Sequence, residues 1–426
     1  MAIVISFAIL LILGVPIAFV LGLSSVIYMV ITENYSFFLN IPQRMIAAAN
    51  NFSLMAIPLF VLAGELMNSG GITVRLTNFA RSLIAHMRGG LAYVNILVSM
   101  FLSAIIGSAN AVAAIQSSSM VPEMRKDGYD NEYSSAITAA SSIMGPIIPP
   151  SMVFILYGVT AGTSIGALFL AGIVPGILLG VAYFILAYFY AKKKNFPTKE
   201  KAGVTAVVNT FIKSSPALFI PLVIIGGIIS GFFTATEAGA IGCLLAFIIG
   251  KFVYRDLKLS SIPNILLTTG VITASIMIIV ATANVFGWLL AMEQIPQAIV
   301  QGLLSISETP WVILLLINLI LLIVGMFLEP LAAIIILVPV LLPVIEQVGI
   351  DPVHFGLVVS LNLVIGLMTP PVGIALFVVA GITKVSITKL SRAIVPFVIA
   401  AVVVLFVVTY IPDLVTFLPD RLLSSN

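Results

Sequence analysis

The sequence predicts an all-α polytopic membrane protein, built as an inverted repeat with two re-entrant hairpins and two broken helices. Three observations carry that prediction. The chain of 426 residues is 61% hydrophobic and only 8% charged, which is more apolar surface than a soluble core of this size absorbs, so lipid bilayer is its expected solvent. The motif Gly-x-x-x-Pro-Pro occurs twice, at Gly145 to Pro150 and at Gly366 to Pro371. Each copy lies inside a long apolar run, where proline removes a helix hydrogen bond and clashes with the preceding turn. Finally, a threading with a cytoplasmic N-terminus puts every one of the 19 Lys and Arg residues except Arg44 and Arg421 on the cytoplasmic side, as the positive-inside rule requires.

In chain order, full spans are expected near 3–30, 46–68, 133–161, 165–190, 211–232, 236–254, 262–290, 353–381 and 393–411. The first has no basic region before it and is too long for a signal peptide's apolar core, so it reads as an uncleaved span. Between 74 and 87, Leu76, Phe79, Ala80, Leu83, Ile84 and Met87 follow a helical rhythm, with Arg75, Arg81 and His86 on other faces. This predicts an interfacial arm helix on the cytoplasmic surface, and 294–305 is its weaker counterpart outside. The stretches 90–124 and 309–346 are apolar but interrupted at their centres. Each is tight for two crossings of about 20 residues, and each is expected to reach the midplane and return.

The interruptions recur in order. Gly107, Pro122, Gly128 and Asp130 are followed by the first Pro-Pro motif; Gly325, Pro339, Gly349 and Asp351 are followed by the second. The extra span at 211–232 makes the second half enter from the opposite face. The first hairpin then opens to the cytoplasm beside Arg125 and Lys126, the second outside beside Glu346 and Asp351. Matching Gly/Pro breaks in two inverted halves point to a transporter binding site; for a single Pro-Pro, an ordinary helix kink would serve equally.

A broken helix leaves carbonyls at one half-helix end and amides at the other. In lipid such backbone survives only when buried or lining a cavity. Carbonyl ends suit a small cation and amide ends suit an anionic group. Hard oxygen donors with few carboxylates favour Na⁺ over a transition metal. A first Na⁺ site is expected from Ser103, Gly107, Ser108, Asn110, Ser141, Gly145 and Ile148, and a second from Gly325, Phe327, Leu328, Gly366 and Thr369. Asn110, Ser151 and Thr369 are the expected substrate contacts. Ser117, Ser118 and Ser119 read better as a small-residue packing face. Glu329, the one acid placed at a hairpin tip, is either a coupling group or a capped carboxylate.

Other functions lack their signatures. The net charge of +3 implies no nucleic-acid partner. The single cysteine, Cys243, excludes an intrachain disulfide. No P-loop occurs: Gly250-Lys251 is followed by Phe252, so no ATP is expected. An intramembrane enzyme would need paired acids, a Ser–His pair or a metal cluster, yet the only histidines are His86 and His354. No channel-filter motif is present.

The segments GSANAVAAIQSSSMVPEM (from Gly107), YSSAITAASSIMGPIIPPS (from Tyr133), FFTATEAGAIG (from Phe232) and GLMTPPVG (from Gly366) resemble the large membrane subunit of tripartite ATP-independent periplasmic (TRAP) transporters. The likeness covers nearly the whole chain and is nearest to members serving sialic acid. The threading above puts the C-terminus on the periplasmic side, and the resemblance implies a bacterial inner-membrane importer driven by Na⁺. It implies a periplasmic binding protein that delivers an organic acid, and a small four-helix membrane subunit. That subunit is a separate chain here, because this one has no room for it. It further implies an elevator: scaffold at 1–72 and 191–290, cytoplasmic arm at 73–89, periplasmic arm at 291–308, transport domain at 90–190 and 309–411, and a tail at 412–426. The family's ion positions match the Gly107 tip with Gly145, and the Gly325 tip with Gly366 and Thr369.

Overall fold

A computed structural model describes residues 2–194, 196, 198 and 200–423. It is helical, with no strand among the described residues. The helices are α1 (Ala2–Ile12), α2 (Ile17–Ile31), α3 (Asn40–Ala49), α4 (Ala56–Ser69), α5 (Ile72–Ile84), α6 (Gly90–Ile106), α7 (Ala109–Lys126), α8 (Asn131–Ser142), α9 (Met152–Ala161), α10 (Ile165–Lys194), α11 (Val204–Ile229), α12 (Ala235–Ile248), α13 (Ile262–Met292), α14 (Ile295–Ile306), α15 (Pro310–Phe327), α16 (Pro330–Gln347), α17 (Pro352–Gly366), α18 (Ile374–Thr383), α19 (Ile387–Tyr410) and α20 (Asp413–Leu423).

Both expected hairpins form. α6 and α7 turn at Gly107-Ser108, and α15 and α16 turn at Leu328-Glu329. Both broken helices form as well, α8 with α9 and α17 with α18. Both Pro-Pro bonds, Pro149–Pro150 and Pro370–Pro371, are cis. The arm helices appear as α5 and α14. Leu76, Phe79 and Ala80 are buried as the α5 pattern requires, whereas Met87 lies beyond the helix and is exposed.

Three expectations need correction. The single span at 3–30 is two helices: α1 ends at a left-handed Gly14, whose neighbour Val15 donates back to the Leu10 carbonyl, and Pro16 starts α2. At 11 and 15 residues, neither crosses about 30 Å alone at 1.5 Å per residue. The span at 46–68 begins later, because α3 ends at Ala49 with Asn50 as its C-cap; Asn51 then accepts from the Ser53 amide at 2.9 Å and starts a new helical stretch. The tail at 412–426 contains α20, which packs on α10 and α17.

The bundle has two chemically different ends. One end holds four ion pairs among the described residues: Arg75 with Asp256 (2.5 Å), Arg81 with Glu123, Lys194 with Asp130 (3.0 Å) and Lys389 with Glu132 (3.3 Å). Lys199, assigned to this side by sequence, lies outside the described residues. The other end gathers Tyr28 donating to Glu293 (2.6 Å), Tyr410 donating to the Trp311 carbonyl (3.2 Å) and Arg44 stacked over Trp288. The first hairpin opens at the ion-paired end and the second at the opposite end.

The halves interlock through matching contacts. α6 and α7 pack on α8 as α15 and α16 pack on α17; α9 packs on α16 as α18 packs on α7. Each broken helix ends beside the start of the other. Asn131 donates to the Thr383 carbonyl at 3.4 Å, and the Tyr157 hydroxyl to the Pro352 carbonyl at 2.7 Å.

Candidate functional site at the hairpin tips

In each half, the hairpin tip meets the broken helix where it breaks. Gly107 has φ +64°, and a Cβ there would stand 2.8 Å from the Pro150 oxygen. A Cβ on Gly145 would stand 2.9 Å from the Ser108 carbonyl carbon and 3.0 Å from its oxygen. In the second half, a Cβ on Gly325 would lie 3.0 Å from the Leu363 Cα, and one on Gly366 would overlap the Gly325 carbonyl. Glycine at these four positions lets backbone approach backbone.

The breaks free carbonyl oxygens, as a proline-terminated half-helix must. The carbonyls of Gly107, Gly145 and Ile148 in the first half accept none of the hydrogen bonds formed by the described residues. The same holds for those of Gly325, Phe327 and Thr369 in the second. The donor set is neutral oxygen: among the described residues no cluster of three His, Cys, Asp or Glu exists. These are hard ligands, suited to an alkali or alkaline-earth cation.

The other expected side chains divide by what they already bind. The Ser103 hydroxyl donates to the Ser99 carbonyl (2.6 Å). Ser141 donates to Asn95 Oδ1 (3.1 Å) and accepts from Ser99 Oγ (2.9 Å). Both brace the first site from below. Ser151 is fully buried and serves as a cap: its hydroxyl donates to the Pro146 carbonyl (2.5 Å) and accepts from the Phe154 amide (3.3 Å), which leaves it little capacity for a substrate. Thr369 donates to the Ile365 carbonyl (2.8 Å), so its oxygen lone pairs stay available. Asn110, in the first turn of α7, keeps a buried Oδ1 without a hydrogen-bond partner. Ser108 faces a cavity of about 80 Å³ between the tip and α4, lined also by Gly64, Glu65 and Asn68. The Glu329 carboxylate caps α16, accepting from the amides of Leu331 (3.0 Å) and Ala332 (3.4 Å). Of its two expected roles, this geometry is the capped one. Ser118 and Ser119 are exposed and donate back to the Ile115 carbonyl.

Sequence reasoning places Gln116 and Ser141 near the tips but misses the braces Asn95, Thr138, Asn318 and Asn362. Asn95 donates to Thr138 (2.7 Å), and Gln116 donates to Ser99 (2.6 Å) and to the Asn95 carbonyl (3.0 Å). Asn362 Nδ2 donates to Asn318 Oδ1 (2.6 Å), and Asn318 Nδ2 in turn donates to Thr409 Oγ1 (3.2 Å). The signal was present: Asn95, Asn318 and Asn362 are lone amides inside otherwise apolar runs, and polar residues at membrane depth are functional candidates by default.

Two inverted halves, each closing a hairpin tip on a broken helix, define a secondary transporter built on internal repeats. The sequence matches the family described as "Tripartite ATP-independent periplasmic transporter, DctM component" over residues 4–414. It is 42% identical to the sialic acid TRAP transporter large permease protein SiaM of Vibrio cholerae, across 96% of each chain. It is 38% identical to the C4-dicarboxylate TRAP transporter large permease protein DctM of Pseudomonas aeruginosa, across 89% of each. The crystal structure of the YdaH transporter from Alcanivorax borkumensis superposes with a TM-score of 0.65 over 88% of this chain and 87% of that one, at 13% identity, a likeness of fold. The chain belongs to the DctM-component family of TRAP transporters and is a multi-pass large permease.

Proposed function

We propose that this chain is the membrane-embedded subunit of a Na⁺-coupled importer. It receives an organic acid, sialic acid before other carboxylates, from a periplasmic binding protein and carries it inward by an elevator movement. The observation that carries the reading is the paired meeting of tip and break, with unbonded carbonyls in both halves. Those carbonyls, joined in the second half by the Thr369 hydroxyl, would hold one Na⁺ in each half. Asn110 and Thr369 would border the substrate between them. The ion-paired end would face the cytoplasm of a bacterial inner membrane, in line with its basic residues. The 42% identity to a sialic acid permease supports the substrate preference. The C4-dicarboxylate relative supports a second reading, the same machinery serving a dicarboxylate. A small membrane subunit would complete the scaffold formed by α1–α4 and α11–α13.

The test is uptake into proteoliposomes holding the chain with its small subunit and binding protein, comparing N-acetylneuraminate with succinate. Uptake should require a Na⁺ gradient and no ATP. With two Na⁺ per monovalent acid, one net charge enters per cycle, and 100 mV then supplies about 2.3 kcal/mol, roughly fifty-fold accumulation. Uptake indifferent to replacing Na⁺ with choline would overturn the ion assignment.

A further inference from the structure

At the end of the bundle remote from the ion pairs, a cavity of about 530 Å³ opens between α3 and α13 on one side and α9 and α16 on the other. Its walls mix polar groups (Arg44, Asn51, Asn284 and Thr160) with apolar ones such as Leu156 and Ile335. The Arg44 guanidinium sits over Trp288, 4.3 Å from the ring centroid. None of the ion pairs among the described residues involves Arg44. The other cation kept from the basic end by the sequence, Arg421, stacks on Phe417 in α20 instead.

These features fit a ligand of one chemistry. A guanidinium offers a planar fork of donors that matches a carboxylate bidentately. Stacking on an aromatic face orients that fork without consuming its donors. The amides of Asn51 and Asn284 and the Thr160 hydroxyl add hydrogen-bonding groups for a hydroxylated ligand. The volume lies within the range of small-molecule pockets.

We propose that this cavity is a receiving site for an organic carboxylate, separate from the hairpin tips, with Arg44 as its anion-binding residue. The inference rests on the proposed function for the direction of travel and the class of ligand. The carboxylate handed over at the outer face would dock on Arg44 first, between two helices of the proposed scaffold and two of the proposed moving part. It would pass to the tips when those helices slide.

Trp288 reports on this site directly. The chain has two tryptophans, Trp288 and Trp311, so Trp311→Phe leaves Trp288 as the sole emitter under the guanidinium. The full chain in nanodiscs is titrated with N-acetylneuraminate, succinate, neutral N-acetylmannosamine and sodium chloride, in Na⁺ and in choline. A saturable change in Trp288 emission is expected with the carboxylates alone, with equal midpoint in either cation. Arg44→Gln should weaken that response about ten-fold or more, the loss expected for a charge-assisted pair. If Arg44→Gln fails to fold, Arg44→Lys decides, because it keeps the charge and loses the fork; it should weaken binding and leave the unfolding midpoint in place. No saturable response to carboxylate would overturn the proposal. So would an equal response to the neutral sugar or chloride, or a response unchanged in the folded Arg44 variant. The titration uses no gradient, so its failure is distinct from a failure of Na⁺-coupled uptake.

Discussion

The two halves use the same backbone device but support it differently. In the first half, five buried side chains (Asn95, Ser99, Gln116, Thr138 and Ser141) tie α6, α7 and α8 beneath the tip. In the second, the side-chain bracing is one amide pair, Asn318 with Asn362, reaching Thr409. The second tip instead relies on closer backbone packing, Gly366 against Gly325, and on a carboxylate cap. A buried hydrogen-bonded network restrains the arrangement of its helices, here with Gln116 Oε1 left without a partner, while glycine-to-glycine contact fixes a distance and leaves rotation to neighbouring packing. A repeat can thus preserve the geometry of a break while exchanging what holds it.

The largest test of that contrast adds one methyl to each half. Gly366→Ala drives a Cβ into the Gly325 carbonyl and should abolish uptake while the protein still reaches the membrane. Gly145→Ala meets Ser108 and Ala109 backbone atoms at 2.9–3.1 Å, a milder overlap that the facing backbone must still yield to, and should leave reduced but measurable uptake. Equal loss in both would erase the distinction.

The opposite openings of the hairpins are tested by thiol labelling in a Cys243→Ser background. Cys243 Sγ donates to the Leu59 carbonyl at 2.9 Å, a bond serine can keep. Lys126→Cys and Glu346→Cys, both at exposed hairpin bases, should react with an impermeant reagent from opposite sides of the membrane. Reaction of both from one side would remove the inversion and with it the pairing of the breaks.

A smaller effect separates the two proposed ion sites. Thr369 offers a hydroxyl oxygen beside its carbonyl, whereas the matching position in the first motif is Ile148. Thr369→Val should raise the Na⁺ concentration for half-maximal uptake by up to about ten-fold, the value of one lost ligand of roughly 1–1.5 kcal/mol. Unaltered Na⁺ dependence would assign the second site to backbone alone, making it more like the first.

The smallest effect is expected at Glu329. Glu329→Gln keeps an oxygen for the Leu331 and Ala332 amides and loses only the charge at the helix N-terminus, about 0.5–1 kcal/mol. A slightly lower unfolding midpoint with uptake retained is the expected result. Abolished uptake in a stable protein would restore the carboxylate as a coupling group.

Most of this architecture was readable in the sequence because proline and glycine act locally, and their effect on the backbone does not wait for tertiary contacts. The tip at Gly107 and both Pro-Pro breaks fall where the motifs put them, whereas the second turn lies at Leu328-Glu329, just beyond the expected Gly325, which stays inside α15. The turn at Gly14-Pro16 escaped because apolar residues continue on both sides, so the average hydropathy of 3–30 hides a change of direction. α3 was absorbed into its neighbour for the same reason, although Asn50-Asn51 marks the boundary. At the site, the carbonyl positions followed from the breaks. The bracing partners did not, because which Ser or Thr meets Asn95 or Asn318 is decided by packing between segments far apart in the chain.

The interlock of the halves has a thermodynamic consequence. Because α9 packs on the second hairpin and α18 on the first, and each broken helix ends against the beginning of the other, a tip that tightened would be expected to restrain its counterpart. Under the proposed ion coupling, a cation bound in one half makes closure of the other less costly, and the favour is returned to the same extent. Binding of the two ions is then cooperative, and uptake should climb with Na⁺ more steeply than a single-site curve, with a Hill coefficient above one. Weakening either of the two links, by Asn131→Ala or Tyr157→Phe, should flatten that curve before it lowers the maximal rate.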